Sequence, residues 1–236
     1  MISVVAVVWL LLAGAYGVFL SFPVFFVPLL EEFQWSRALT AGVVSLSTLV
    51  QAALSPVAGI LVDRVGARPV ILAGVVMLSA ASILMGLVNA PWQLYVCTGV
   101  LGAAGVVSLG WVPMGALLSR RFVEARGRKI ATAFSGMGVG VFAMGPATQW
   151  LIARLGWRPA TMVLGAVAFA FLFPIAWLGV RDTAPAADPA GVRGRAPNVG
   201  LGDALRRRAF WALFGAYFMT PLAVFSVFTP RDESDV

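Results

Sequence analysis

The sequence predicts an all-α membrane protein: a six-helix half-bundle built of two inverted three-helix repeats, then a cytoplasmic loop and a seventh helix. Three observations carry this. Charged residues make up 11% of the 236 positions and hydrophobic ones 60%, with a mean hydropathy of +0.92, whereas a soluble domain carries roughly a quarter charged residues. Several apolar runs reach the ~20 residues that cross a bilayer. None shows the ~10-residue alternation of a barrel strand, so the runs are helices that satisfy their own backbone. Finally, Leu61 to Pro69 reads L-V-D-R-V-G-A-R-P and returns as L-I-A-R-L-G-W-R-P at Leu151 to Pro159.

The first run, about Ile2 to Leu30, has no basic residue before Arg37 and is too long for a signal-peptide core, so it is read as a retained helix. Ala13, Gly17 and Ser21 fall four apart and give it a small-residue face for close packing; Pro23 and Pro28 bend its second half. After a loop from Glu31 to Arg37, a second helix covers about Ala38 to Leu61, and the polar hinge Gly59 to Pro69 follows. A third helix spans about Val70 to Val88, and Asn89-Ala90-Pro91 turns the chain into a fourth, about Trp92 to Leu118. That helix carries Gly99, Gly102, Gly105, Gly110 and Gly115, which suits close packing or a helix that flexes.

The basic loop Ser119 to Lys129 leads to a fifth helix, about Ile130 to Ile152, where Gly136 and Gly140 form a small-xxx-small pair and Gly145-Pro146 marks a kink. A sixth covers about Ala160 to Val180. Residues 1–180 thus form the six-helix unit, with repeats at about 1–88 and 92–180. Residues 181–208, rich in Ala, Pro, Gly, Asp and Arg, form the loop between halves. Residues 209–228 form the seventh helix and 229–236 a polar tail.

Charge sets the topology. Counting alternate loops, one side holds Arg64, Arg68, Arg120, Arg121, Arg126, Arg128, Lys129, Arg181, Arg193, Arg195, Arg206, Arg207 and Arg208; the other holds Arg37, Arg154 and Arg158. The positive-inside rule puts the first side, and with it the N-terminus, in the cytoplasm, as expected of a plasma (inner) membrane protein. Because the excess follows loop parity, the net charge of +7 is topogenic and no nucleic acid partner is expected. The partners expected are the lipid bilayer and a small-molecule substrate. The absence of histidine excludes imidazole catalysis and histidine-ligated metal. No cofactor or metal is expected, and without paired intramembrane acids or a nucleophile motif no enzyme activity. Cys97, in an apolar run, is read as packing.

The repeated string has an offset of 90 residues, three helices, so its second copy falls on the opposite face. That is the mark of the inverted repeats of many secondary transporters. The pattern G-x-x-x-D-R-x-G-x-R, carried by Gly59, Asp63, Arg64, Gly66 and Arg68, resembles the signature loop of the major facilitator superfamily. Tyr16 to Arg37 and Arg120 to Gly140 resemble the corresponding parts of its monocarboxylate and oxalate/formate carrier branch. The resemblance implies alternating-access transport of a small organic anion such as a monocarboxylate or dicarboxylate.

It also implies a conformational latch in which Asp63 meets Arg120, Arg121, Arg126 or Arg128, or caps a helix of the other half. Three departures stand out. The helix-four arginine of proton-coupled antiporters would fall near Thr98, the helix-one lysine of animal monocarboxylate carriers aligns with Leu20, and Val141 replaces a patterned glycine. The family has twelve helices in two halves. This chain is therefore read as a truncated transporter, to be completed by a C-terminal half or a second copy. The alternative is a non-transporting membrane protein, either a relic or a half that acts only by association.

The predicted spans contain no ionised side chain, since all acids and bases fall in loops or the tail. A polar pathway must then use neutral groups, and Tyr16, Gln51 and Trp111 are the expected cavity-lining residues.

Overall fold

The computed structural model describes residues 3–122 and 126–180, together with positions 210–212, 215 and 219. The chain divides into two compact units, Met1–Ala186 and Ala187–Val236. The expected loop at 181–208 and tail at 229–236 lie outside the described residues, as does most of the expected seventh helix; its described positions 210–212, 215 and 219 are helical. Among the described residues all regular structure is helical, and six helices are long and apolar enough to cross a membrane. These are span 1 (Val4–Phe33), span 2 (Arg37–Val65), span 3 (Ala67–Met85), span 4 (Pro91–Ser119), span 5 (Gly127–Leu155) and span 6 (Trp157–Gly179).

The helices run further than the apolar runs alone indicate. Span 1 continues through Glu31 and Glu32 to Phe33, where Gln34 adopts a left-handed conformation (φ 53°) and the Ser36 hydroxyl caps span 2 by accepting from the Leu39 amide at 3.2 Å. The expectation that every charge sits in a loop is therefore corrected: Glu31, Glu32, Asp63, Arg64 and Arg154 ride on helix ends. A 29-residue helix is about 44 Å long at ~1.5 Å per residue, against ~30 Å of hydrocarbon, so its last turns reach the headgroups with their charges in place.

Two spans change helix type midway. In span 1, α-helix from Val4 to Leu20 gives way to a 3-10 turn at Phe22–Phe25, then α-helix again from Phe26 to Phe33. Pro23 sits in that turn and has no N–H to give. Span 4, expected as one glycine-rich helix, begins with Pro91–Leu94, becomes π-helical over Tyr95–Gly102, returns to α over Ala103–Ser108, opens at Leu109 and Gly110, and resumes at Trp111–Arg121. Span 5, by contrast, lies within a helix assigned without interruption from Arg126 to Leu155 that includes Pro146.

The packing has the two-fold character that the repeated string implies. Span 1 packs on span 5 and span 4 on span 2; span 1 also meets span 6 while span 4 meets span 3; spans 3 and 6 pack on each other. Shifting each span by three positions exchanges these pairs and returns the set. The two hinges match in conformation as well: Gly66 (φ 93°, ψ 166°) and Gly156 (φ 81°, ψ 164°) each end one helix and start the next. That left-handed backbone is why both copies keep the glycine.

Close approach of spans 1 and 5 depends on small residues. Gly136 faces the Trp9 backbone, Gly140 the Ala13 backbone, and Gly17 the Gly140 carbonyl and Met144. Beside this contact lies a core that includes Val8, Leu11, Leu12, Ile71, Leu109, Met114 and Leu118, all fully buried. A Cβ at Gly140 would overlap the Ala13 main chain, whereas one at Gly138 meets nothing within 4 Å. Gly140→Ala should therefore destabilise the bundle by about 1–3 kcal/mol through overpacking. Gly138→Ala, on the same helix, should be neutral or stabilising by up to ~1 kcal/mol. Thermal unfolding of the purified variants checks this, and equal melting temperatures for the two would refute the close-approach account.

Candidate functional site

A cleft of about 150 Å³ opens where the two irregular spans face span 2. Span 1 contributes Tyr16, Phe19, Leu20, Phe22 and Pro23, span 2 contributes Val44, Ser47, Thr48 and Gln51, and the π-helical stretch of span 4 contributes Thr98. The location follows from the local backbone. Irregular backbone at membrane depth is tolerated where it borders a cavity, and both the 3-10 turn and the π-helix border this one. Phe19, Phe22 and Thr98 also line a smaller crevice among spans 1, 3, 4 and 6.

The polar groups of the cleft differ in what they have left to offer. Ser47 donates its hydroxyl proton to the Val43 carbonyl at 2.8 Å and Thr48 to the Val44 carbonyl at 3.0 Å. Those protons are committed to the helix backbone. The side chains of Tyr16, Gln51 and Thr98 make no hydrogen bond among the described residues, so the phenol, the amide and the threonine hydroxyl remain able to donate to a ligand. Among the described residues, no charged side chain lines the cleft. Leu20 and Thr98 both face it.

Tyr16 and Gln51 thus share one cleft, while Trp111 is not among its lining residues. Trp111 begins the helix after the Gly110 break, stands 62% exposed and stacks on Phe134 with ring centroids 4.3 Å apart. Ser47, Thr48 and Thr98 also line the cleft and are not among the cavity-lining residues expected from the sequence. The apolar wall of Phe19, Phe22 and Val44 carried no signal beyond its neighbour Pro23.

The hinge residues gather at one end. Asp63 and Arg64 are exposed on the last turn of span 2, just before Gly66. A Cβ at Gly59 would lie 3.6 Å from Val112, which places that end of span 2 beside the helix carrying Arg120 and Arg121. Arg121 and Arg128 are exposed. Arg126 starts the helix that contains span 5. Arg68 turns instead toward span 6, where its Nη2 donates to the Trp177 carbonyl at 2.9 Å and its guanidinium lies 4.7 Å from the Trp177 ring centroid.

The packing residues divide. Ala13, Gly17, Gly136 and Gly140 lie in the contact between spans 1 and 5, and Ser21 is buried with its hydroxyl donating to the Val18 carbonyl at 2.7 Å. Gly145 faces open space, one residue before Pro146 in the same helix.

At the opposite end, Arg158 donates to Glu32 through Nε at 3.0 Å and Nη2 at 2.8 Å, to the Gly86 carbonyl at 3.2 Å and to Asn89 Oδ1 at 3.2 Å. The Trp157 indole donates to the second oxygen of Glu32. This cluster was not foreseen; the adjacent Trp157-Arg158 in the repeated string and the Glu31-Glu32 pair were its only traces.

The profile of the Major Facilitator Superfamily matches residues 7–230. Monocarboxylate transporter 11 of Mus musculus is 35% identical over 214 residues, covering 88% of this chain and 47% of that protein. The Homo sapiens protein of the same name is 32% identical over 213 residues, 87% and 44%. Monocarboxylate transporter 13 of Rattus norvegicus is 31% identical over 156 residues, 66% and 36%. The chain spans less than half the length of these relatives. With six apolar helices in the described residues, it is a multi-pass membrane protein. The chain belongs to the major facilitator superfamily.

Proposed function

We propose that this chain supplies one six-helix bundle of a carrier that moves a small organic anion, a monocarboxylate or dicarboxylate, by alternating access. The observation that carries the reading is the cleft itself: three uncommitted neutral donors, Tyr16, Gln51 and Thr98, set against an apolar wall between spans 1, 2 and 4. Carboxylate oxygens accept from these donors, and a short hydrocarbon part rests on Phe19, Leu20 and Phe22. The volume of about 150 Å³ matches that of an engineered apolar cavity that holds benzene, a ligand of about six heavy atoms. The similarity to proteins named monocarboxylate transporters supports the same class of substrate.

Among the described residues the cleft holds no cationic side chain, and a buried carboxylate without a positive partner is costly. The counter-charge comes from a second bundle, whether a C-terminal half or a second copy, and transport is the rocking of the two around the shared site. The basic hinge side faces the cytoplasm of a cell whose plasma membrane holds the protein, with the N-terminus inside. There Asp63 works as a latch, its carboxylate engaging basic loop residues such as Arg121 and Arg128, or a helix N-terminus of the second bundle, in one of the two states.

Three outcomes are expected. The 236-residue chain alone, reconstituted in liposomes, should give no saturable uptake of a radiolabelled short monocarboxylate; saturable flux would make copies of this bundle sufficient by themselves. In equilibrium binding of the same labelled acid to a complete carrier that contains this bundle, Gln51→Leu and Tyr16→Phe should each weaken affinity about 10–100-fold, since hydrogen bonds to charged groups contribute about 1.5–3 kcal/mol. Trp111→Phe should not change it. Unaltered binding in both cleft variants would remove the cleft as the site. In the native host, Asp63→Asn should slow uptake several-fold per molecule of membrane-inserted protein, and an unchanged turnover would eliminate the latch.

A further inference from the structure

The hinge arginines of the two repeats do the same thing at opposite ends of the bundle. Arg68, two residues after Gly66, opens span 3 and donates at 2.9 Å to the carbonyl of Trp177, near the end of span 6. Arg158, two residues after Gly156, opens span 6 and donates at 3.2 Å to the carbonyl of Gly86, which ends span 3. The arginines are 90 residues apart, and their carbonyl acceptors, at 86 and 177, correspond within one position under the same offset. Each guanidinium also lies 4.7 Å from a tryptophan ring centroid, Trp177 for Arg68 and Trp157 for Arg158. Neither bond is local, the partners being 109 and 72 residues apart.

We propose that Arg68 and Arg158 are a reciprocal pair of positioning residues that clamp spans 3 and 6 together at both ends and so weld the two three-helix repeats into one rigid body. A helix C-terminus has carbonyls with no partner inside the helix, and a guanidinium offers several donors in a fixed plane, so each arginine bonds a terminal carbonyl while stacking on a ring. Two antiparallel helices pinned at one end still pivot and slide; pinned at both, they do neither. Between the pins the contact is tight, because a Cβ at Gly165 would meet the Ser79 carbonyl at 2.7 Å. Movement within the bundle is then left to the irregular segments of spans 1 and 4, which carry the cleft. The clamp stands on this geometry alone; its use in transport rests on the carrier reading above.

Spin labels in a Cys97→Ser background test it without any flux measurement. Labels at Ala73 and Leu178 report the Arg68 end, and labels at Leu84 and Val163 the Arg158 end. Lysine keeps the charge that sets topology and lacks the planar fork. Arg68→Lys should narrow the dipolar broadening of the first pair and leave the second unchanged, and Arg158→Lys the reverse. The unaffected pair shows that the variant is folded. Should Arg158→Lys fail to fold, Glu32→Gln takes its place, weakening the anchor of the same guanidinium with the same expected narrowing at that end. Unchanged spectra in both single variants, or equal narrowing at both ends from either, would overturn the clamp. Absence of uptake by a complete carrier with both label pairs behaving as expected would instead count against the transport reading.

Discussion

Hydrocarbon offers no hydrogen bonds, so the backbone must satisfy itself, and the rest of this bundle follows from that requirement. Six stretches of chain become helices because no other conformation closes all their amides and carbonyls. Several side-chain hydroxyls follow the same rule: Ser21, Ser47, Thr48, Ser82, Ser108 and Thr161 all donate to carbonyls three or four residues earlier, while the buried hydroxyls of Ser79 and Thr148 have no partner among the described residues. Departures from a regular helix are then informative. The 3-10 turn at Phe22–Phe25 and the π-helix at Tyr95–Gly102 both border the cleft. Thr98 lies in the wider π-turn and is the one aliphatic hydroxyl of the cleft without a backbone bond among the described residues. Irregular backbone thus creates both the space and a free donor.

The second organising feature is the duplicated hinge. A left-handed glycine needs no side chain, an arginine two residues on reaches across to the other repeat, and a proline after it tolerates the first turn of a helix where its missing N–H costs nothing. The shared letters of the two strings, Leu, Arg, Gly, Arg and Pro, are thereby divided by task. Gly, the second Arg and Pro form the turn and its long-range bond. The positions that differ mark what the two ends do not share. Asp63 stands opposite Ala153, and Ala67 opposite Trp157, whose indole donates to Glu32. One end carries a carboxylate within the hinge; the other recruits its carboxylate from span 1.

Much of this was legible in the sequence because it depends on local or periodic signals. Apolar run lengths marked the spans and the 90-residue echo the hinges, while the small-residue pair Gly136 and Gly140 pointed to close packing without naming the span 1 backbone that it meets. The ends of helices were less legible, since charged residues such as Glu32 are compatible with a helix that has already left the hydrocarbon. Trp111 does not line the cleft that holds Tyr16 and Gln51, and no unbroken 3.6-residue period relates it to Thr98, because the π-helix and the Gly110 opening lie along that stretch. The Glu32 and Arg158 contact spans 126 residues and follows no period, so only the fold brings it into view.

Charge placement ties these features into one arrangement. Among the described residues, ionised groups occupy the two ends of the bundle, where water and headgroups solvate them, and the cleft between is left neutral. At the ends, arginines bind carbonyls, tryptophans and Glu32, interactions that hold helices in place. In the cleft, a phenol, an amide and a hydroxyl are weaker individually but cost far less to keep in a low-dielectric site without a ligand than a lysine or arginine would. A bundle built this way is stable with its cleft empty, and on the carrier reading proposed above it would bind an anion strongly only when a positive charge is brought up from outside the bundle. On that proposal, occupancy and closure onto a second bundle would be coupled by the same electrostatic term, which is the differential interaction that alternating access requires.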